Sequence, residues 1–509
     1  MSYNLAELAE HALARLGDHE ALVFEGQTLR SGELMARARR LGGNLADLGI
    51  RPGDRVVVLM ANCPEVLITY NALWRAGAVI TPVIFLMTPA ELGHILVDSG
   101  AVAIVTTEEL LGAALRGARD APELRHVIVA GAHSDSAPDG VTLSSFADLE
   151  AGEPGDIAER ADDDIAALMY TGGTTGRAKG VALSHGQLWS AGLSLWQAAY
   201  VPGVTRTLTP LPLSHAYGLI VSITGMHADE PGLAIIQRWF NPAEWIALCE
   251  QHRAQRSALV PAMIMMLLNE PLEDAGLASL RFLGSGSAPL PLPALHEFER
   301  RVPGCEINEG YGCTESAAVT TANSPGRRRP GSVGTPVPRY RVSIFDESDR
   351  ALAPGEDGEV CVQGPGLMTG YWNAPDETAA ALRGGWLRTG DIGHVDADGY
   401  LYIVDRKKDL ILRGGFNVFP RDVEDALLTH PDVMSVGVVG RPDPRLGEEV
   451  VAFVTLRPGA TLESDALVAY SRKRLAPTKY PREVVVVDRL PLTSVGKLDR
   501  KALRARLAG

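Results

Sequence analysis

The feature that most restricts how this chain can fold is a rhythm between Ala21 and Val129. Short apolar runs (Val56 to Met60, Val79 to Pro82, Val102 to Val105, His126 to Val129) alternate there with amphipathic helical stretches. Strands separated by helices return in the same direction, so the rhythm predicts a parallel sheet covered by helices. Helix starts are marked in the residues themselves. An amphipathic helix begins after Asn4, Thr88-Pro89-Ala90-Glu91 is a capping box with proline at the first helical position, and Thr106-Thr107-Glu108-Glu109 reads as another box. A polar, Gly- and Pro-containing stretch from Gly131 to Asp163 then reads as a connection. A second alternating set runs from Ile165 to about Pro325, with Ser184-His185-Gly186-Gln187 as a capping box and Asn241-Pro242-Ala243-Glu244 as a helix start. This gives two similar α/β lobes.

From about residue 330 the pattern changes to short strands and turns (Arg341 to Phe345, Gly358 to Val362, Tyr400 to Val404), a β-rich subdomain poor in helices. Beyond Asp405 come a helix (Arg421 to Thr429), two strands (Val433 to Val439, Val450 to Leu456), a helix (Glu463 to Leu475), a strand (Val484 to Val487) and a basic last helix, a small α+β domain. The expected domains are 1–405 and 406–509, joined at Asp405 to Lys408. No 20 to 50 residue repeat or low-complexity segment interrupts them.

Composition narrows the function. With 509 residues and 46% hydrophobic content the chain can build several cores, and a net charge of −14 argues against a nucleic-acid or anionic-membrane surface. Arg327-Arg328-Arg329 and Arg472-Lys473-Arg474 read as solvated faces. Five cysteines without a C-x-x-C pair point to reduced thiols and to neither a disulfide frame nor a zinc site. The cytoplasm is the expected compartment, since the N-terminus lacks a basic-then-apolar signal and runs such as Ala258 to Leu268 are too short to span a bilayer.

The chemistry centres on Tyr170-Thr171-Gly172-Gly173-Thr174-Thr175-Gly176-Arg177-Ala178-Lys179-Gly180, which follows the apolar run Ile165 to Met169. Glycines let backbone N–H groups converge, threonine hydroxyls add donors and Lys179 adds charge, so the segment suits a polyphosphate. It is no Walker A loop, because Ala178 and Gly180 flank the lysine where glycine and Ser or Thr are needed. Taken alone, such a turn is more often a plain surface loop, so the case rests on distant partners. Downstream, Gly310-Tyr311-Gly312-Cys313-Thr314-Glu315 offers a carboxylate that could share a divalent cation with a phosphate chain, or simply stand exposed. Tyr311 reads either as a stacking platform for a base or as a core tyrosine. Gly284-Ser285-Gly286-Ser287-Ala288-Pro289 reads as a strand-end turn able to present backbone to a planar ring; it misses the dinucleotide spacing because Pro289 stands where the third glycine belongs. In Arg388-Thr389-Gly390-Asp391 the carboxylate can accept from a ribose diol or serve a turn, and Asp405-Arg406-Lys407-Lys408-Asp409 reads as a solvated linker in isolation. Pro491-Leu492-Thr493-Ser494-Val495-Gly496-Lys497 is a turn leading into a helix.

In their order these stretches, with Gly414-Gly415-Phe416-Asn417-Val418-Phe419-Pro420 after the charged run, resemble the acyl-CoA synthetase branch of the adenylate-forming superfamily, which also holds luciferase and peptide-synthetase adenylation domains. The likeness covers nearly the whole chain. It implies a large N-terminal region of two α/β lobes and a β-barrel, with a mobile C-terminal α+β domain. It also implies an enzyme: a carboxylate attacks the α-phosphorus of ATP, pyrophosphate leaves, and the thiol of coenzyme A captures the acyl-AMP. By the same resemblance Thr171, Gly172, Gly173, Thr174, Thr175, Gly176 and Lys179 hold the β and γ phosphates. Thr314 touches the α-phosphate, Glu315 binds Mg²⁺, and Tyr311, Gly312 and the Ser287-Ala288-Pro289 turn enclose adenine. Asp391 takes the ribose hydroxyls with Arg406 close by, and Lys497 reaches the carboxylate and α-phosphate. Lys408 matches the hinge position, and Gly414, Gly415 and Phe416 match the loop lining the pantetheine tunnel.

The resemblance places the acid among Ser214, His215, Tyr217, Gly218, Trp239, Ser287 and Gly310. Amino-acid-activating relatives carry an aspartate near the first of these to pair with an ammonium group, and none is present here. An uncharged tail is therefore expected, and Leu219, Ile220 and Met226 favour a fatty or other bulky apolar acid. Two departures stand against a simple fatty-acid reading: Ser214 replaces an aromatic common in fatty-acid enzymes, and Arg339-Tyr340 replace a glycine-containing turn. Transfer to an acyl carrier protein, an aryl or terpenoid acid as substrate, and a homodimeric state stay open as alternatives.

Overall fold

The computed structural model describes residues 3–132, 137–171, 178–493 and 498–507. Four sheets organise them. The first has eight strands in the order Gly370–Tyr371, Lys179–Ser184, Ile165–Thr171, Val79–Val83, Arg55–Leu59, Ala103–Thr107, His126–Ala130 and Thr142–Ser145. All neighbours from Ile165–Thr171 onward are parallel, as the helix–strand rhythm predicts. The second has nine strands, running Thr335–Pro336, Thr321–Ala322, Glu306–Tyr311, Phe282–Ser285, Arg256–Leu259, Arg206–Thr209, Leu233–Ile236, Glu20–Phe24 and Gln27–Arg30.

Two strand pairs cross between the lobes that the sequence suggests. The hairpin Glu20–Phe24/Gln27–Arg30 joins the second sheet beside Leu233–Ile236, and Ile165–Thr171 joins the first beside Val79–Val83. Local periodicity specifies that a segment is a strand but not which sheet edge completes its hydrogen bonds. The exchange ties the lobes together, and one core cluster draws on Leu22 and Phe24, on Val56 and Ile80, and on Leu219 and Ile223. Buried polar side chains bridge the same region. Asn62 donates to Leu211 O and Gln237 O at 2.9 and 3.0 Å and accepts from Leu213 N. Trp74 Nε1 donates to Ala166 O at 3.1 Å and Tyr70 Oη to Leu213 O at 3.2 Å, so these interior donors keep their partners.

The helix starts follow the residues closely, with one exception. Asn4 caps Leu5–Leu16, Thr88 and Glu91 form a reciprocal box at Pro89–Ser99, Ser184 and Gln187 do so at His185–Ala199, and Asn241 accepts from Glu244 N at Pro242–His252. The expected box at Thr106 to Glu109 does not form. The strand Ala103–Thr107 takes both threonines, Thr106 Oγ1 donates to Leu59 O at 2.8 Å, and Thr107 Oγ1 is buried without a partner.

The β-rich segment is an antiparallel sheet of Arg341–Phe345, Gly358–Gln363, Trp386–Val395, Leu382–Arg383 and Leu401–Arg406. The last sheet contains Phe416–Val418, Ile411–Arg413, Gly447–Leu456, Val433–Asp443 and Glu483–Val486, with helices Pro420–Leu428, Ser464–Arg472 and Arg500–Leu507 and a core of its own. Among the described residues no helix is long and apolar enough to cross a membrane.

Candidate active site

Carboxyl-terminal strand ends carry the site. Phe282–Ser285 and Glu306–Tyr311 are parallel neighbours, so the turn Ser287-Ala288-Pro289 and Tyr311 leave the second sheet side by side. Ser287 holds φ +71°, a left-handed conformation costly for a side-chain-bearing residue and typical of turns that present backbone to a ligand. Tyr311 Oη donates to Asp391 Oδ2 at 2.5 Å, and Arg406 Nε donates to Asp391 Oδ1 at 2.8 Å. Asp391 and Arg406 are register partners on antiparallel strands, so the sheet itself sets that pairing. Asp391 is only 8% exposed, a burial tolerable because each oxygen meets a donor. Burial, and next the Asp391 charge, hold the Tyr311 hydroxyl far above the usual phenol range, which keeps it a donor.

Gly312 is required by close approach: a Cβ there would lie 2.4 Å from Ala318 O. After it the chain makes a single 3₁₀ turn, Thr314–Ser316, followed by Ala317 and Ala318 at φ +52° and +64°. Two further contacts orient Glu315. Met368 N donates to its carbonyl at 2.8 Å and Tyr371 Oη donates to its Oε1 at 2.8 Å. Tyr371 also lies under Lys179, whose ammonium is 5.5 Å from the ring centre and 3.3 Å from Glu377 Oε1. Thr171 and Lys179 are register partners on adjacent antiparallel strands. Gly172, Gly173, Thr174, Thr175 and Gly176 lie outside the described residues, as does Lys497.

Sequence reasoning missed Tyr371 and Glu377. The only signal was an aromatic pair, Tyr371-Trp372, just before the helix that starts at Pro375, and the antiparallel pairing of Gly370–Tyr371 with Val181 and Ala182 is what brings them to Lys179.

Lys408 stands on the 3₁₀ turn Lys407–Asp409, directly after Arg406. Crowding at this junction, and next the Arg406 guanidinium, push its ammonium down to about 8. Asp409 accepts from Arg504 at 2.8 Å, and Lys407 lies 3.6 Å from Glu359. Gly414 and Gly415 form the turn between Ile411–Arg413 and Phe416–Val418 with φ +59° and +83°, which is why both are glycine. Phe416 is 58% exposed. No hydrogen bond or ion pair among the described residues ties Gly414, Gly415 or Phe416 to Tyr311, Glu315 or Asp391.

The expected acid-binding residues separate into two groups. His215 caps the helix Ala216–Met226, its Nδ1 accepting from Tyr217 N at 3.2 Å. The Tyr217 ring lies on the strand end at Gly284 and Gly286, with Cβ positions at those glycines 3.0 Å from Oη and 3.5 Å from the ring. Burial pushes the Tyr217 hydroxyl up to about 12. At Gly310 a Cβ would stand 3.2 Å from Thr321 O, a tight but smaller conflict. The second group has other duties. A Cβ on Gly218 would lie 2.1 Å from Pro212 O, so glycine there is required by close backbone approach. Leu219 and Ile220 are buried in the main core, so their apolarity reports packing. Trp239 is 41% exposed with its ring edge-on to Phe85 at 4.4 Å, a rim position. Ser214 Oγ is buried without a partner and Arg339 takes φ +72°.

Among the described residues no group of three or more His, Cys, Asp or Glu side chains could hold a metal. The lone oriented carboxylate of Glu315 suits a Mg²⁺ ion that takes its other ligands from water and phosphate.

Comparison with known proteins places the chain in a family. The chain matches the AMP-binding enzyme family over residues 9–372 and the AMP-binding enzyme C-terminal domain over residues 422–497. It is 35% identical to a long-chain-fatty-acid–CoA ligase of Bacillus subtilis, covering 98% of this chain and 94% of that one. It is 37% identical to a feruloyl-CoA synthase of an Amycolatopsis species, covering 97% of each. A solved anthranilate CoA ligase in complex with anthranoyl-AMP superposes with a TM-score of 0.90 at 27% identity, covering 100% of this chain and 98% of that one. The chain belongs to the AMP-binding enzyme family, as an acyl-CoA synthetase of the adenylate-forming superfamily and an AMP-forming carboxylate–CoA ligase.

Proposed function

We propose that the enzyme activates a carboxylic acid with a largely apolar body and no ammonium group, and passes it to coenzyme A. An acid oxygen bonds to the α-phosphorus of ATP as the bond to the β-phosphate oxygen breaks, and pyrophosphate leaves. The thiol sulfur of coenzyme A then bonds to the acyl carbon, AMP departs with the former acid oxygen, and the thiol proton passes to solvent. Fixed positive charge and donors where negative charge gathers are the main help a protein can give such a reaction.

The observation carrying this reading is Asp391, on the antiparallel sheet, held between Arg406 and the Tyr311 that ends a strand of the nine-stranded sheet, next to the turns of Ser287 and Glu315. In the proposed arrangement Asp391 receives the ribose hydroxyls, and Tyr311, Gly312 and the Ser287-Ala288-Pro289 turn enclose adenine. Thr314 meets the α-phosphate, and Thr171 to Lys179 hold the outer phosphates. Glu315, oriented by Tyr371, would hold Mg²⁺, which when bound offsets phosphate charge. Lys497 approaches the acid and α-phosphate during adenylation. Residues 406–509 turn on Lys408 relative to 1–405 and bring Gly414, Gly415 and Phe416 to the thiol route.

Mass spectrometry of products from ATP, coenzyme A and a mixed acid panel tests this, with and without an acyl carrier protein. Acyl-CoA, AMP and pyrophosphate should appear together. Acyl-AMP that leaves only on addition of the carrier protein would overturn coenzyme A as the acceptor.

A further inference from the structure

One face of the nine-stranded sheet is more polar than an alkyl tail requires. Arg256 pairs in register with Phe282, Ala258 with Gly284, and Gly284 with Asn308. In-register parallel partners project to the same side, and so do residues two apart on one strand. Arg256, Gly284, Asn308 and Gly310 therefore share a face, and it is the face on which the Tyr217 hydroxyl lies, 3.0 Å from a Cβ position at Gly284. Gly310 stands at the reacting end beside Tyr311. Arg256 stands four residue levels lower, about 13 Å away along the strands.

Two groups on this face are incompletely compensated. Asn308 Oδ1 is buried and accepts no hydrogen bond. Arg256 makes no ion pair among the described residues; its Nη2 donates to Ala199 O at 2.5 Å, and its guanidinium lies 5.6 Å from the Phe282 ring centre. Burial lowers its pKa, as expected of a cation removed from water without a carboxylate beside it. Interior polar groups are normally satisfied, so an unpaired acceptor, and a cation with no carboxylate beside it, on the face shared with Gly310 and Tyr217 suit a ligand that supplies both a proton and an oxygen. A hydroxyl does both. A second carboxylate would serve Arg256 but not Asn308 Oδ1, and an alkyl or unsubstituted aryl tail would serve neither.

We infer that the acid carries one or more hydroxyl groups on the part farthest from its reacting carboxylate, recognised by Asn308 and Arg256. This rests on the ligase reading above and narrows its substrate to hydroxylated acids.

The test measures kcat/KM for thioester formation with matched acids: cinnamate, 4-hydroxycinnamate and 3,4-dihydroxycinnamate, and octanoate, 8-hydroxyoctanoate and octanedioate. Each hydroxylated acid should exceed its parent by at least about tenfold, because rejecting an analogue that leaves a buried polar group unpaired is the strong form of discrimination. Asn308→Leu should cut that ratio about fivefold or more, with the loss falling on the hydroxylated acid. Arg256→Met should also lower the ratio. Since Arg256 also holds the end of a helix, its melting temperature is read alongside, and the Asn308 variant decides if Arg256→Met unfolds. Parents used as well as hydroxylated acids would overturn the inference while leaving the ligase reading intact, as would octanedioate preferred with Asn308→Leu silent. Failure of every acid to give acyl-AMP or thioester would instead remove the ligase reading itself.

Discussion

At the scale of single residues, the site is built on donors that fix carboxylates. Glu315 owes its orientation to Tyr371 Oη, 2.8 Å from Oε1, so removing that hydroxyl should disturb metal use before it disturbs the fold. Tyr371→Phe is expected to raise the Mg²⁺ concentration for half-maximal pyrophosphate release by roughly tenfold, the usual scale for a group that positions a metal ligand. Glu315→Ala should lower adenylation sharply and weaken its Mg²⁺ dependence. Titration of pyrophosphate release against Mg²⁺ checks both, and an unchanged Mg²⁺ profile in Glu315→Ala would remove Glu315 as the ligand. Asp391 and Tyr311 stood out in the sequence through their Gly-rich settings, whereas Tyr371 and Asn308 did not. Their importance arises from a short edge strand in one case and from sheet register in the other.

At the scale of elements, close backbone approach and capping decide what is tolerated. A Cβ at Gly312 would lie 2.4 Å from Ala318 O, and the contact is backbone, which cannot swing away. Gly312→Ala should destabilise the protein by about 1–3 kcal/mol and depress adenylation more than acid binding, as read by thermal melting and pyrophosphate release. The two threonine helix starts give a contrast. Thr88 takes part in a full capping box, so Thr88→Ala should cost about 1 kcal/mol. Thr107 Oγ1 is buried and unpaired, so Thr107→Val should be neutral or stabilising. Denaturant midpoints measure both, and equal losses would mean that Thr107 does cap its helix. Both motifs look alike in sequence. They differ because the strand Ala103–Thr107 needs its last residues in extended pairing.

At the scale of the whole molecule, two predictions concern coupling between distant parts. If the segment after residue 405 turns between half-reactions, Lys497→Ala should nearly abolish acyl-AMP formation and spare thioester formation from supplied acyl-AMP. Lys408→Pro should do the reverse, since proline locks φ and hinders rotation. Pyrophosphate release and single-turnover thioester formation separate the two, and equal losses in both half-reactions for both variants would exclude alternation about Lys408. The second concerns acid stability. His185 is fully buried, accepts from Leu5 N at 3.2 Å, and is pushed down to about 4 by burial. Folded His185 stays neutral where the unfolded chain takes up a proton, so stability is complete above about 6.5 and falls as pH drops toward 4, by up to roughly 3 kcal/mol from this residue. His227, also lowered to about 4 by burial, acts in the same direction. Melting temperatures from pH 7.5 to 4.5 should show the decline, and His185→Asn should flatten its slope.

Local signals in the chain were enough for the element types, most helix caps, the change to β-rich structure near residue 330 and the ordered motifs that place it in its family. Capping, glycine conformations and hydrophobic period are properties of a few neighbouring residues, so they are legible in order along the chain. Tertiary structure alone decided which sheet received Glu20–Phe24 and Ile165–Thr171, that Leu219 and Ile220 are buried in the core, that Tyr371 holds Glu315, and that Asn308 Oδ1 is unpaired on a face it shares with Arg256. Each of these depends on residues far apart in sequence meeting through sheet order and register, and a strand's own pattern carries no record of its neighbour.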